Sequence, residues 1–333
     1  MRIGIVNEES WGFFNDVYSE FIEHHEVTIF KRRTFNPPIF QNRLNDYVFS
    51  RNFQHFLKHQ DVVFFEWASE LLVTATRMPK SCGIVTRLHR YELYQWADQI
   101  CWDLVDRIIL VSKAKQHEFV ARFPGYASKT KVIPVGIQFE KFHPKGRTFN
   151  GDIGILCHLT PRKRVYELIL AFYQLIKMRD GFHLHIGGGR HPRFGDYYEA
   201  IHNLVLKLRL NDRVTFYDHV THPEDWYPEI DIFISNSYSE GLQVSPMEAI
   251  ASGCYSLSHY WNGADELLPE ENLYLTDQEL IVKILEYSDL TVAEKQSRNT
   301  QLQAFVRDRF DSQKIKSQIR QIVEEVRTRA VQV

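Results

Sequence analysis

The sequence predicts an α/β protein built from two open, parallel-sheet domains, and three observations carry that prediction. Short apolar, β-branched runs alternate with segments of helical length along the whole chain. The alternation comes in two series. The break between them falls in FHPKGRTFNG (142–151), where a proline and two glycines interrupt the pattern before a new strand begins. Such alternation calls for crossover connections, which leave parallel strands covered by helices on both faces. The domains expected are 1–145 and 146–333, and a length of 333 residues suits about two.

In the first series the strands are RIGIV (2–6), EVTIF (26–30), DVVFF (61–65), GIVTR (83–87), RIILV (107–111) and KVIPV (131–135). Amphipathic stretches such as NDVYSEFIEHH (15–25) and KAKQHEFVARF (113–123) lie between them. In the second series the strands are DIGIL (152–156), FHLHIG (182–187), RVTFY (213–217), DIFIS (231–235) and CYSLS (254–258). Helices are expected over 164–179 and 198–210. The tail from Thr291 to Arg329 reads as helix, with a restart at the N-cap residues Asp311-Ser312.

Composition narrows the class. A hydrophobic share of 44% with 25% charged residues is that of a soluble globular chain with a sizeable core. The net charge of −2 gives no reason to expect a nucleic-acid partner. Cys82, Cys101, Cys157 and Cys254 form no CxxC pair, which fits reduced thiols in a cytosolic protein. MRIGIV lacks the apolar core of a signal peptide, and no run approaches the roughly 20 apolar residues that span a bilayer. The expected location is therefore cytoplasmic, with peripheral contact at the inner membrane face left open. The cluster Lys31-Arg32-Arg33 suits either a membrane surface or a solvated strand end.

Open parallel sheets collect ligands at the carboxyl ends of their strands, so the loops after strands are the places to look. His158 and then Thr160-Pro161-Arg162-Lys163-Arg164 follow strand 152–156. Three cations where a helix begins oppose its dipole, a conflict that a bound phosphate would resolve and a solvated basic loop would tolerate. Gly187-Gly188-Gly189 follows the next strand without GxGxxG spacing, and serves a close ligand approach or a flexible strand exit equally well. After strand 231–235 comes SEGLQVSPMEAIASG (239–253), with Glu240 in the loop. There Ser245-Pro246-Met247-Glu248 reads as a capping box, with Ser245 at the N-cap and Glu248 at the third helical position. His89, after strand 83–87, is either a structural histidine or a cleft residue. No metal constellation, HExxH, P-loop or GxSxG element is present in the sequence.

Together these loops resemble family 4 glycosyltransferases, the retaining GT-B enzymes that use nucleotide-sugar donors. Glu240 to Glu248 is similar to the family's E-x7-E element, and DIFISNSYSEGLQVSPMEAIASG resembles its strand–loop–helix over its full length. GDIGILCHLTPRKRVYELILAF, HLHIGGG, RVTFYDHV and NGADEL fit the neighbouring blocks in order, and HHEVTIF, TRLHRYELY, DRIILVSKA and KVIPVGIQFEKFHP fit the acceptor-side pattern.

The resemblance implies two Rossmann-like domains facing across a cleft, with C-terminal helices able to cross back to the first. It implies that Glu248 holds the ribose hydroxyls and Glu240 the donor sugar, with the amides of Gly241, Leu242 and Gln243 near the diphosphate and sugar. Lys163 would neutralise the phosphates, assisted by Arg162 or Arg164, and His89 would contact the donor sugar near the reacting centre. His158 stands where the family has an arginine, and Gly188 lines the donor side. The loop after the first strand has only Gly12 where the family is glycine-rich, and Val135 replaces a usual Asn.

The activity so implied is transfer of a sugar from a nucleotide-diphosphate donor to a hydroxyl on a glycan or glycolipid, in glycan, polysaccharide or glycolipid synthesis, with no cofactor and no metal. Protein cations and amides would stabilise the leaving group. Two other readings stand beside it. A glycoside hydrolase would use Glu240 and Glu248 as its carboxylate pair. A nucleotide-sugar-binding protein without turnover would bind donor and transfer nothing.

Overall fold

A computed structural model describes residues 1–32, 41–144, 146 and 148–330. Arg33 of the basic cluster, and Lys145 and Arg147 of the break between the two series, lie outside the described residues.

Among the described residues, twelve strands form two six-stranded sheets in which every pairing is parallel. The first contains β1 (Arg2–Val6), β2 (Glu26–Ile29), β3 (Val62–Phe65), β4 (Gly83–Leu88), β5 (Arg107–Leu110) and β6 (Thr130–Val132), in the order β2-β1-β3-β4-β5-β6. The second contains β7 (Asp152–Leu156), β8 (His183–Gly187), β9 (Val214–Tyr217), β10 (Ile232–Ser235), β11 (Tyr255–His259) and β12 (Leu273–Tyr274), in the order β12-β11-β10-β7-β8-β9. Both are doubly wound orders. Their winding reverses between β1 and β3 in one sheet and between β7 and β10 in the other, and such points open a crevice at the strands' carboxyl ends.

The chain divides into one unit of Met1–Val135 with Ser312–Val333 and a second of Gly136–Asp311. The sequence reading set the boundary at 145/146 and kept the tail with the second part. Packing explains the tail's membership. Ile315, Ile319, Ile322, Val323 and Val326 recur at helical spacing along Ser312–Ala330 and join the core made by Ile3, Ile5, Val62, Phe64, Val85 and Ile109. Glu20, on the helix Asn15–His24, adds ion pairs to Lys316 (3.3 Å) and Arg320 (2.9 Å). The alternate residues Val63, Phe65, Ile84, Ile108 and Leu110 face the other way, against Phe53, Phe56 and Leu57 of the helix Gln41–Lys58. A sheet buried on both faces accounts for strands that read as continuous apolar runs.

Candidate functional site

The switch point of the second sheet brings two loops together. After β7 the chain enters a 3₁₀ turn, Pro161–Lys163, and Arg164 takes a left-handed conformation (φ 51°, ψ 40°) before the helix Val165–Met178 begins. Arg162 and Lys163 therefore ride on a separate turn, and of the three cations only Arg164 stands at the helix start, as its N-cap residue. Asn236 Nδ2 donates to the Arg164 carbonyl at 2.8 Å, and the Tyr274 hydroxyl donates to Asn236 Oδ1 at 2.7 Å. These bonds hold a backbone geometry that a non-glycine residue rarely adopts. Arg164 itself turns to Asp277 (3.2 Å).

That turn aims Lys163 and Arg162 at Glu240, in the loop after β10. Lys163 Nζ donates to Glu240 Oε1 at 2.8 Å, Arg162 Nη1 pairs with the same oxygen, and Arg162 also donates to the Ser239 carbonyl at 2.8 Å. Glu240 is buried. Burial pushes its carboxyl up, but Lys163 and Arg162 overcome that and hold it below the ordinary carboxylate value. Gln243 braces the arrangement: its amide nitrogen donates to Ser237 Oγ (3.1 Å) and Glu240 Oε1 (3.0 Å), and its oxygen accepts from Ser235. Among the described residues, the amides of Gly241, Leu242 and Gln243 donate to no backbone carbonyl. Two cations around one carboxylate leave net positive charge beside those amides, which is anion-binding chemistry.

Glu248 departs from the capping box. Val244 already has helical angles (φ −86°, ψ −39°), and the Glu248 amide donates to the Val244 carbonyl at 3.0 Å. The N–H that Ser245 would cap is thus taken, and the helix start, with Val244 at the N-cap, carries no side-chain capping bond. The Glu248 carboxylate instead accepts from the Tyr227 hydroxyl at 2.8 Å. Burial raises its carboxyl above the usual value, with the Tyr227 bond opposing.

His158 lies beside His191, with ring centroids 6.3 Å apart. Burial, then Lys163, His191, His219 and Arg162, depress its imidazole below the usual value, so Arg162 and Lys163 carry the loop's charge. Gly188 (φ 136°) is required by packing, since a Cβ there would lie 1.9 Å from the Cys157 carbonyl oxygen. Its amide is committed to the carbonyls of Tyr217 (3.1 Å) and Asp218 (3.2 Å).

His89 lies in the other unit, after β4. Its Nε2 is 3.0 Å from Glu66 Oε1 and its ring stacks on Trp67, with centroids 4.1 Å apart and planes at 25°. Sequence reasoning missed Glu66, Arg87, Tyr227 and the serines that hold Gln243. Glu66 and Arg87 had a signal, since each is a charge at the end of an otherwise apolar strand and needs a partner. Tyr227, in the turn before β10, had none.

Residues 150–288 match the family described as glycosyl transferases group 1. The chain is 26% identical over 176 residues to alpha-monoglucosyldiacylglycerol synthase of Streptococcus pneumoniae, and 24% identical over 230 residues to spore coat protein SA of Bacillus subtilis. These matches cover 47% and 61% of this chain, but 39% and 60% of the relatives. Among solved structures, Anabaena HepE in complex with UDP and glucose superposes with a TM-score of 0.79 at 19% identity, over 97% of this chain and 99% of that one. Sucrose-phosphate synthase of Thermosynechococcus elongatus does so with 0.76 at 17%, over 98% and 99%. Residues 150–288 are thus similar to the glycosyl transferases group 1 family, and the fold of the chain is GT-B.

Proposed function

We propose that the protein is a retaining glycosyltransferase that moves a sugar from a nucleotide-diphosphate donor to a hydroxyl of a glycan or glycolipid acceptor. The observation that carries this reading is the pairing of Lys163 and Arg162 with buried Glu240 at the β7/β10 switch point. A leaving nucleoside diphosphate develops negative charge, and these cations with the amides of Gly241 to Gln243 are placed to receive it. Before donor binds, Glu240 supplies the anion. On binding, the diphosphate takes over part of the cations' charge, and Glu240 is freed to accept from sugar hydroxyls. Glu248, next to Tyr227, serves the ribose. This division of labour needs no resident metal or cofactor. UDP-glucose is the first donor to try, because HepE was solved with UDP-glucose, and a lipid is the first acceptor to try, because the Streptococcus relative is named an alpha-monoglucosyldiacylglycerol synthase.

The opposed shifts of Glu240 and Glu248 also suit an acid and nucleophile pair in a hydrolase. The two readings part on nucleotide dependence. A thermal-shift series with UDP-, GDP- and ADP-glucose tests them: a donor at 100 times its Kd adds about 2.7 kcal/mol to stability. Release of the nucleoside diphosphate from the stabilising donor, accelerated by acceptor, supports transfer. Stabilisation without release marks a binding protein, and sugar release from oligosaccharide without nucleotide marks a hydrolase.

A further inference from the structure

Unit 1 contains a buried charge pair that the donor chemistry does not use. Glu66, the residue after β3, is fully buried, and Arg87, near the end of β4, is 1% exposed. Arg87 Nη2 donates to Glu66 Oε1 at 2.6 Å, and its Nε lies 3.1 Å from both Glu66 oxygens. Nη2 also donates to the Phe13 carbonyl at 2.8 Å. Burying two charges rarely gains stability over an apolar pair of the same volume, so stability alone does not account for them.

What the pair does reach is His89. Arg87 surrounds the Glu66 carboxylate with N–H donors, so both oxygens act as acceptors. The ring nitrogen that faces Oε1, Nε2 at 3.0 Å, must then carry the hydrogen. Trp67 covers one face of the ring, and the His89 amide donates to Glu92 Oε1 at 3.1 Å, which anchors the backbone beneath it. Ring plane, ring proton and main chain are each fixed by a separate contact.

We propose that Glu66 is a positioning residue for His89. Held in place by Arg87, it keeps the ring hydrogen on Nε2 and leaves Nδ1 as the nitrogen that accepts from a substrate hydroxyl. The functional half of this inference rests on the glycosyltransferase reading; the tautomer itself does not.

The test uses the full chain labelled with ¹⁵N-histidine, with His89 assigned by a His89→Asn variant. Long-range ¹H–¹⁵N spectra at alkaline pH should show hydrogen on Nε2 only, protected from exchange with water. Glu66→Gln makes a sharper claim. Its single amide oxygen will be claimed by the Arg87 cation, which turns the NH₂ toward His89 and forces the ring hydrogen to Nδ1. Turnover of UDP-glucose should then fall on the order of 100-fold, with calorimetric affinity for UDP unchanged. A parent spectrum with hydrogen on Nδ1, or with both tautomers populated, overturns the proposal and needs no folded variant. Glu66→Gln with lowered Tm and parental turnover overturns it as well, since that is what a purely structural pair would do. If the parent ignores every nucleotide sugar, the glycosyltransferase reading fails, and the tautomer spectra still decide whether Glu66 orients His89.

Discussion

Lys163 Nζ and Glu240 Oε1 lie 2.8 Å apart, across 77 residues of sequence, at the point where the second sheet reverses its winding. The sequence reading gave these residues separate ligands, a phosphate and a sugar. In the folded chain they are each other's partner, and Arg162 shares the bond. The two cations are thus already arranged around negative charge, which Glu240 supplies. Lys163→Ala should lower donor turnover on the order of 100-fold or more, the effect of removing a preorganised charge stabiliser. Folding should survive, because Arg162 still pairs with Glu240. Steady-state UDP release measures the first and thermal denaturation the second. Parental turnover would move the phosphate role to Arg162 or elsewhere.

Activity should persist in EDTA. The proposed charge stabilisers are Lys163, Arg162 and backbone amides, none of which is a metal ligand. Among the described residues, the one group close enough to share a cation is Glu20, Glu23 and His24, where Glu20 is engaged by Lys316 and Arg320. Loss of turnover on chelation, with recovery on adding Mn²⁺ or Mg²⁺, would refute the metal-free site.

Much of the fold was legible because strand–helix alternation writes itself as alternating apolar runs, and eleven of the twelve described strands overlap runs named from sequence. The two-residue β12 was too short to leave a period. The helix Gln41–Lys58 was also passed over, although Phe49, Phe53, Phe56 and Leu57 stand at i, i+4, i+7 and i+8. Candidate site residues were legible where a loop follows a strand, as with Lys163 and Glu240. The partnership between them was not, because it depends on β7 and β10 lying side by side, which no local pattern encodes. The capping box misled for a local reason: SPME fits the motif, but Val244 joins the helix and shifts its start.

Glu9 should make stability depend on pH near neutrality. Burial pushes its carboxyl from an ordinary 4.5 up to about 7, with Glu92 and Glu8 raising it and His89 opposing. The Tyr91 hydroxyl donates to it. A raised folded-state value means that the native chain holds the proton more firmly than the unfolded chain. That stabilisation is fully present below pH 4.5 and is lost as the pH rises through about 7. Glu9→Gln cannot lose it. The Tm of the variant relative to the parent should therefore climb between these two pH values, read by thermal denaturation in matched buffers. A difference that stays flat across the window would show Glu9 titrating as a solvated carboxylate.

Glu248 separates binding from folding. Its carboxylate accepts from the Tyr227 hydroxyl at 2.8 Å and takes no part in capping the helix Ser245–Ala251. Glu248→Gln keeps an oxygen for Tyr227 and removes a charge that burial disfavours, so Tm should hold or rise. A ribose holder needs more than that oxygen. A carboxylate accepts from two hydroxyls with charge-assisted bonds, whereas an amide offers one neutral acceptor. Affinity for UDP should accordingly weaken by about 1–3 kcal/mol in Glu248→Gln. Glu248→Ala should show the same binding loss and a folding defect of about 1–3 kcal/mol, because the buried Tyr227 hydroxyl is left unpaired. That defect arises at Tyr227, not at the helix start, so adding Tyr227→Phe to Glu248→Ala should recover most of it. Calorimetric titration with UDP and thermal denaturation of the three variants measure the set. Should Glu248→Gln bind UDP as the parent does, Glu248 is a partner for Tyr227 alone, and the ribose role passes to another residue.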